Sequence, residues 1–325
     1  MITNRNLLFS KAGPAFTVPQ AKERLDHNDA KLVEVLHTNM GRSTWMGLGN
    51  ILKLGDADIF LNGGARQKGC YSVFRDSNYD DYFDTIDTDK FEEPIEPPFD
   101  PWMMNGKRGE APAGRKWTQS IFCHHARAVD FYLETRNPNS PCQRVAYQCD
   151  LYKNFLAGQC ASCGDRNEKC RLFEYNANSK LDVPPVENYS YFMDTNPAPP
   201  LCANHYQIQI QIDESNFKSG TFDMTLNGDR DSASFELKGD WDGHWYTAVI
   251  TTEKYLGNLK SATGQFRWAW YDRGSKQIEF LSMNMNYLSN MNPRIRQKLS
   301  AEFVAQPSNE GIYQFDLPYN DLDFE

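Results

Sequence analysis

The run "HYQIQIQID", His205 to Asp213, places an apolar residue at every second position, Tyr206, Ile208, Ile210 and Ile212, with a glutamine between each pair. A period of two sends the isoleucines to one face of a strand and the glutamines to the other, which a helix of about 3.6 residues per turn cannot do. The alternation returns in "GTFDMTLNGD", "ASFELKGD", "HWYTAVITT", "GQFRWAWYD" and "KQIEFLSMN", punctuated by glycine or Asn-Gly. Short alternating strands at such intervals predict an antiparallel β-sandwich of roughly seven or eight strands. No solenoid-type repeat is visible.

The earlier part of the chain reads differently. "KLVEVLHTN" (Lys31 to Asn39) and "DADIFLNGG" (Asp56 to Gly64) predict two strands, and "HHARAVDFYLET" sets Ala128, Val129, Tyr132 and Leu133 at helical spacing. Strands followed by a helix indicate α/β character. Between the two patterns, "DTNPAPPLCAN" carries three prolines in eleven residues and reads as a linker. A length of 325 residues agrees with two domains.

Charge is concentrated in one place. Residues 76–100 hold ten carboxylates against Lys90 alone, which matches the net charge of -9 for the whole chain and leaves the rest close to neutral. That distribution excludes a protein built to grip nucleic acid and marks a separate solvated segment. It lies inside Tyr71 to Phe122, 52 residues rich in Pro, Gly and acid, and a loop that long is functional or disordered. No apolar run approaches the roughly 20 residues of a transmembrane helix, and "MITNRNLLFS" contains no export-signal apolar core.

Eight cysteines, six of them between Cys123 and Cys170, suit a disulfide framework in an oxidising compartment. Cys149, Cys160, Cys163 and Cys170 contain a single C-x-x-C step, so a zinc site is the competing reading. Asn188-Tyr189-Ser190 is a glycosylation sequon that also favours export, and a secreted-type chain with no leader suggests that further N-terminal sequence precedes Met1. Asp26 and Asp29 lie three apart before a strand, where they either bind a hard cation such as Ca²⁺ or cap and solvate a turn. In "IFCHHARAVDFYLETR", His124 and His125 head the predicted helix directly after a cysteine.

Four stretches in order, "AGPAFTVPQAKERLDHNDAKLVEVLHTN", "DADIFLNGGARQKGC", "CHHARAVDFYLET" and "CDLYKNFLAGQCASC", closely resemble the second half of the catalytic domain of the pancreatic lipase family. That family includes triacylglycerol lipases, lipoprotein lipases and A1-specific phospholipases. The alternating strands resemble its C-terminal PLAT-type β-sandwich. The resemblance implies a partial α/β-hydrolase domain over 1–196 with an acidic lid insertion at 71–122, a linker at 197–204 and a PLAT-type sandwich over 205–325.

Site residues follow from the resemblance position by position. Asp26 and Asp29 match calcium carboxylates, with Arg24 and Ala21 where backbone carbonyls complete the site, so a structural Ca²⁺ is expected. Cys70 and Cys123 match the pair at the base of the lid, and Cys149 with Cys160 and Cys163 with Cys170 match two further bridges. Cys142 and Cys202 remain as a fourth pair, and zinc is not expected. His125, flanked by Cys123 and Arg127, occupies the place of the triad histidine, whose imidazole takes the serine proton and returns it to the leaving alcohol. An ordinary helix-start histidine is the alternative.

The other triad members are not found. The nucleophile should stand on a G-x-S-x-G elbow ahead of the acid, and no such motif occurs; Gly41-Arg42-Ser43-Thr44-Trp45 lacks the last glycine. The acid should lie in an L-D-P-A-G-P stretch, whereas this chain reads "FSKAGP", with Ser10 at the acid position. In the lid only Phe99, Trp102, Met103 and Met104 suit contact with a lipid interface, followed by the basic Lys107, Arg108, Arg115 and Lys116. In the sandwich, Trp241 and Trp245 either seat a lipid surface or belong to the core, and Arg294, Arg296 and Lys298 could meet anionic head groups or polysaccharide.

Two functions are expected from this. One is a secreted carboxylic ester hydrolase of lipids, triacylglycerol or phospholipid, acting by Ser-Asp-His chemistry at a lipid interface or lipoprotein surface and inactive as the present chain. The other is a non-catalytic lipid-binding or interaction protein that keeps the fold, with a protein partner for its sandwich.

Overall fold

The computed structural model describes residues 5–9, 25, 27–30, 32–41, 47, 49–70, 117–137, 139–140, 142–174, 189–213, 219–241, 244–268, 278–306 and 312–318. The chain divides into two compact units. The first comprises Met1–Ser140, Arg144–Asn154 and Ser162–Cys202; the second comprises Pro141–Gln143, Phe155–Ala161 and Ala203–Glu325.

A six-stranded sheet organises the first unit. Its strands are β1 (Arg5–Phe9), β2 (Leu32–His37), β3 (Ala57–Leu61), β4 (Val145–Gln148), β5 (Cys170–Leu172) and β6 (Tyr189–Met193), in the order β1-β2-β3-β6-β4-β5. β1, β2, β3 and β6 run parallel, whereas β4 is antiparallel to both β6 and β5. Parallel strands covered on both faces read as near-continuous apolar runs, and every residue of β3 is buried. Leu25, Val33, Val35 and Leu54 form a cluster on one part of this unit. A larger cluster joins Leu36, Ile59, Tyr191 and Met193 to Ala128 and Phe131 of the helix α1 (Trp117–Glu134).

The helix begins at Trp117, so six residues of the segment expected as a lid are helical. Its buried stripe is His124, Arg127, Ala128 and Phe131, while Val129 and Leu133 face outward. Of the four apolar positions read from the sequence, Ala128 and the partly buried Tyr132 do meet the core. Two polar residues join the buried side because partners wait for them there. The proline-rich stretch after β6 is tied down as well: both oxygens of Glu134 accept from Leu201 N at 2.9 and 2.8 Å, and Asn196 Nδ2 donates to the carbonyls of Pro200 and Cys202.

The second unit contains β7 (Asn204–Ile212), β8 (Ser219–Gly228), β9 (Ser232–Asp240), β10 (Trp245–Thr252), β11 (Leu259–Trp268), β12 (Phe280–Tyr287), β13 (Ala301–Ala305) and β14 (Ile312–Asp316). All neighbours are antiparallel in the order β10-β7-β12-β13-β14-β11-β8-β9. The alternation of β7 is realised residue by residue. Tyr206, Ile208, Ile210 and Ile212 enter a core with Phe222, Met283, Phe303 and Phe315, and Gln207, Gln209 and Gln211 are half-buried on the other face. There Ser282 Oγ donates to Gln211 and Asn286 Nδ2 to Gln207, cross-strand pairs that stabilise a sheet beyond its backbone ladder.

The two tryptophans divide. Trp241 is buried, its ring stacked 4.1 Å from that of Tyr246, whereas Trp245 is 50% exposed. Arg294, Arg296 and Lys298 lie on a short helix, Pro293–Leu299, whose start is capped by the Asn292 side chain accepting from Arg294 N with proline in the first turn. No helix among the described residues is long and apolar enough to cross a membrane.

Candidate functional site

The histidine pair lies inside α1, seven residues past its start rather than at its head, where a turn and a disulfide converge on it. After β3, Asn62, Gly63 and Gly64 form a 3-10 turn in which all three have positive φ. At Gly64 a Cβ would approach the Phe60 ring and the Met40 methyl to 2.8 Å, so glycine is required by both backbone and space. The turn delivers Gln67 into the interior. Its Nε2 donates to the carbonyls of Thr38 and Leu61, and its Oε1 accepts from Asn62 Nδ2. Its backbone N–H then donates to His124 Nδ1 at 2.8 Å.

That last bond fixes the tautomer of His124: Nδ1 is the acceptor, so a neutral ring carries its proton on Nε2. Burial, with Arg66 and Arg127 adding to it, pushes the pKa of His124 down to about 4. Arg127 binds the same loop and the stretch after β6, donating to the carbonyls of Lys68 and Pro197. Lys68 pairs with Asp194 at 2.8 Å, and Tyr152 Oη donates to the other oxygen of that carboxylate at 2.6 Å. The Cys70–Cys123 disulfide closes the assembly one residue before the pair.

His125 stands on this frame half-buried, and burial holds its pKa below the ordinary histidine value. Its Nδ1 is enclosed and has no hydrogen-bond partner. In a serine-hydrolase triad that nitrogen donates to the acid while Nε2 faces the nucleophile. The arrangement therefore provides a neutral, rigidly mounted imidazole whose orienting side is empty of an anion among the described residues.

Sequence reasoning missed a third histidine. His37 of β2 is buried, with Nε2 2.7 Å from Asp58 Oδ1 of β3, Nδ1 3.1 Å from the Asn50 carbonyl, and its ring stacked 4.3 Å from Phe60. Asp58 also accepts from the backbone of Leu54 and Gly55. With 1% and 0% of the two side chains exposed, no substrate reaches them, and the pair is a strut between strands. The signal was available: a charge inside a strand buried on both faces requires a partner.

All eight cysteines are disulfide-bonded; Cys163 pairs with Cys170, and Cys142, Cys149, Cys160 and Cys202 are also oxidised. Thiolate, the form zinc needs, is thus absent from the described cysteines. Asp29 ends the turn His27–Asp29 with its side chain at the surface, a carboxylate of the type Ca²⁺ prefers. Ala21, Arg24, Asp26, Ser10, Trp102, Met103, Met104 and Asn188 lie outside the described residues.

The family model described as Lipase matches residues 8–81 and 113–200, which include His125, both strands of the His37–Asp58 strut and the Cys70–Cys123 bridge. The chain belongs to the pancreatic lipase family. Among its relatives, human pancreatic lipase-related protein 3 is 29% identical over 264 residues, covering 79% of this chain and 49% of that protein. Lipase member H of Danio rerio is 26% identical over 96% of this chain and 59% of its own length. Phospholipase A1 member A of Bos taurus is 27% identical over 66% and 37%. This lipase-family chain thus spans about half the length of the curated relatives it matches. A solved calcium-dependent 11R-lipoxygenase overlaps 35% of this chain and 17% of its own at a TM-score of 0.26 and 10% identity, too slight a likeness to inform the fold.

Proposed function

We propose that this chain carries the general base of a secreted carboxylic ester hydrolase of lipids, acting on triacylglycerol or phospholipid by Ser-Asp-His chemistry, and that these 325 residues alone do not turn over such esters. In this reading the first unit is a partial α/β-hydrolase domain, the second a PLAT-type β-sandwich, and Asp26 and Asp29 hold a structural Ca²⁺. The oxidised cysteines support an extracellular setting.

The observation that carries the reading is the enclosed, unpartnered Nδ1 of His125. A base at this position is helped by its lowered pKa, because the neutral ring is the form that accepts a proton from serine. It is hindered by the missing acid: with serine at residue 10 nothing there can stabilise an imidazolium, and losing the orienting anion costs about 10⁴ in kcat in serine hydrolases. The exposed Trp245 favours a second reading, in which the chain binds lipid surfaces without turnover.

Two measurements on the full chain test this. Hydrolysis of a short-chain ester and of phospholipid vesicles is expected at the buffer rate and unchanged by His125→Ala; turnover that this substitution abolishes would overturn the claim of inactivity. In a nitrogen-15 NMR titration, Ser10→Asp is expected to raise the pKa of His125, since an anion beside Nδ1 favours the imidazolium. An unmoved titration would remove residue 10 from the acid position.

A further inference from the structure

The oxidised cysteines differ in what surrounds their sulfurs. Cys163 and Cys170 are 3% and 0% exposed, and Cys142, Cys149 and Cys202 are buried as well. Cys70 and Cys123 are instead partly open to solvent, and their bond joins residues 53 apart in the sequence. Cys160 is the other partly open cysteine, and its sulfur and that of Cys149 lie within 4.8 Å of an Asp150 carboxylate oxygen. An anion at that place opposes formation of a thiolate.

Cys70 has the opposite neighbour. Arg127 Nη2 stands 3.6 Å from Cys70 Sγ while it also reaches the carbonyls of Lys68 and Pro197. A guanidinium stays charged at every physiological pH, so it favours negative charge on that sulfur throughout. Arg66 adds to the field, since with Arg127 it acts on His124, the residue after Cys123. In thiol–disulfide exchange the attacking species is a thiolate, and the sulfur whose thiol has the lower pKa leaves faster. A positive surround favours both events, and the position of Arg127 selects Cys70 as the sulfur that leaves.

We propose that Cys70–Cys123 is a thiol–disulfide exchange site, opened by a dithiol reductant with Cys70 as the leaving thiolate beside Arg127. The attacking thiolate bonds to Cys123 Sγ, the bond between the two cysteines breaks, and its electron pair goes to Cys70. The second thiol of the reductant, deprotonated, then attacks the sulfur bound to Cys123. The reductant closes to its own disulfide, and Cys123 leaves and takes a proton. Two electrons pass from dithiol to protein, and one proton is released to solvent while Cys70 stays a thiolate. The frame survives this, because Gln67 N–H still donates to His124 Nδ1 and Arg127 still holds the carbonyls of Lys68 and Pro197. What is lost is the covalent tie between α1 and the segment ending at Cys70. The exchange needs no ester chemistry at His125.

The test treats the folded full chain with graded dithiothreitol at neutral pH, quenches with iodoacetamide, and locates the alkylated cysteines by peptide mass spectrometry. Cys70 and Cys123 are expected to be labelled at least about tenfold faster than Cys163 and Cys170, and equal rates would overturn the proposal. Glutathione, a monothiol that cannot complete the second step, is expected to form its adduct on Cys123 and leave Cys70 as a free thiol; an adduct on Cys70 would overturn the proposal. Arg127→Met is expected to slow opening about tenfold and Arg127→Lys to restore most of the rate. An unchanged or faster opening in Arg127→Met, as a merely loosened loop would give, also counts against it. If that variant does not fold, the position of the glutathione adduct in the wild type decides.

Discussion

His124 and His125 are adjacent in sequence and share a composition-level description, yet their chemistry diverges within one residue. His124 Nδ1 is occupied by Gln67 N–H, and its low pKa reflects burial first and the nearby arginines second. Folding therefore disfavours its protonation. The unfolded chain, with an ordinary pKa near 6.5, takes up that proton as pH falls, and the folded protein does not until about pH 4. This contribution to stability is complete above pH 6.5 and is lost between there and pH 4, with an upper bound of about 3 kcal/mol. Urea denaturation across that range should show a slope that His124→Gln, which keeps an acceptor but does not titrate, removes. An unchanged slope would mean that other groups control acid stability.

At the scale of elements, α1 shows why periodicity located the helix but found only part of its buried face. Apolar spacing singled out Ala128, Val129, Tyr132 and Leu133; Ala128 and the partly buried Tyr132 do meet the core beside Phe131, whereas Val129 and Leu133 are exposed and His124 and Arg127 complete the buried stripe. Phe131 is fully buried and stacks on Phe173 at 5.7 Å between ring centres. Phe131→Ala should cost about 3–5 kcal/mol by opening a cavity under the helix, measured by chemical denaturation. Leu133→Ala, at the surface, should cost far less, and equal losses at the two positions would contradict this placement. The strands β2, β3 and β7 were legible because burial on two faces, or on one, leaves a clear apolar pattern. β13 and β14 were not, since five residues each with one or two inward side chains give too short a signal.

At the scale of the whole molecule, the two units differ in how much of their architecture the sequence discloses. The second, eight antiparallel strands around one core, follows from alternation for six of its strands, β7 to β12. The first depends on contacts distant in sequence: Asn62 with Thr195, Gln67 with His124, Lys68 with Asp194. Calcium is the expected ligand with the widest reach. Binding only the folded state, it should stabilise by about 2.7 kcal/mol at a hundredfold excess over its dissociation constant, read as a higher melting temperature than in chelator and abolished by Asp26→Asn with Asp29→Asn. Equal melting in calcium and chelator would remove the metal from the description.

The chain's own residues determined the β-rich second unit, the cysteine framework, the family, and the place of His125, because each rests on local period, count or motif. Only the tertiary structure decided that His124 and not His125 is locked by Gln67, that His37 and Asp58 brace the parallel sheet, and that Trp241 and Trp245 part between core and surface. Those outcomes depend on which groups, tens of residues apart, come within about 3 Å of one another, and hydrogen bonding at that range has no counterpart in linear pattern.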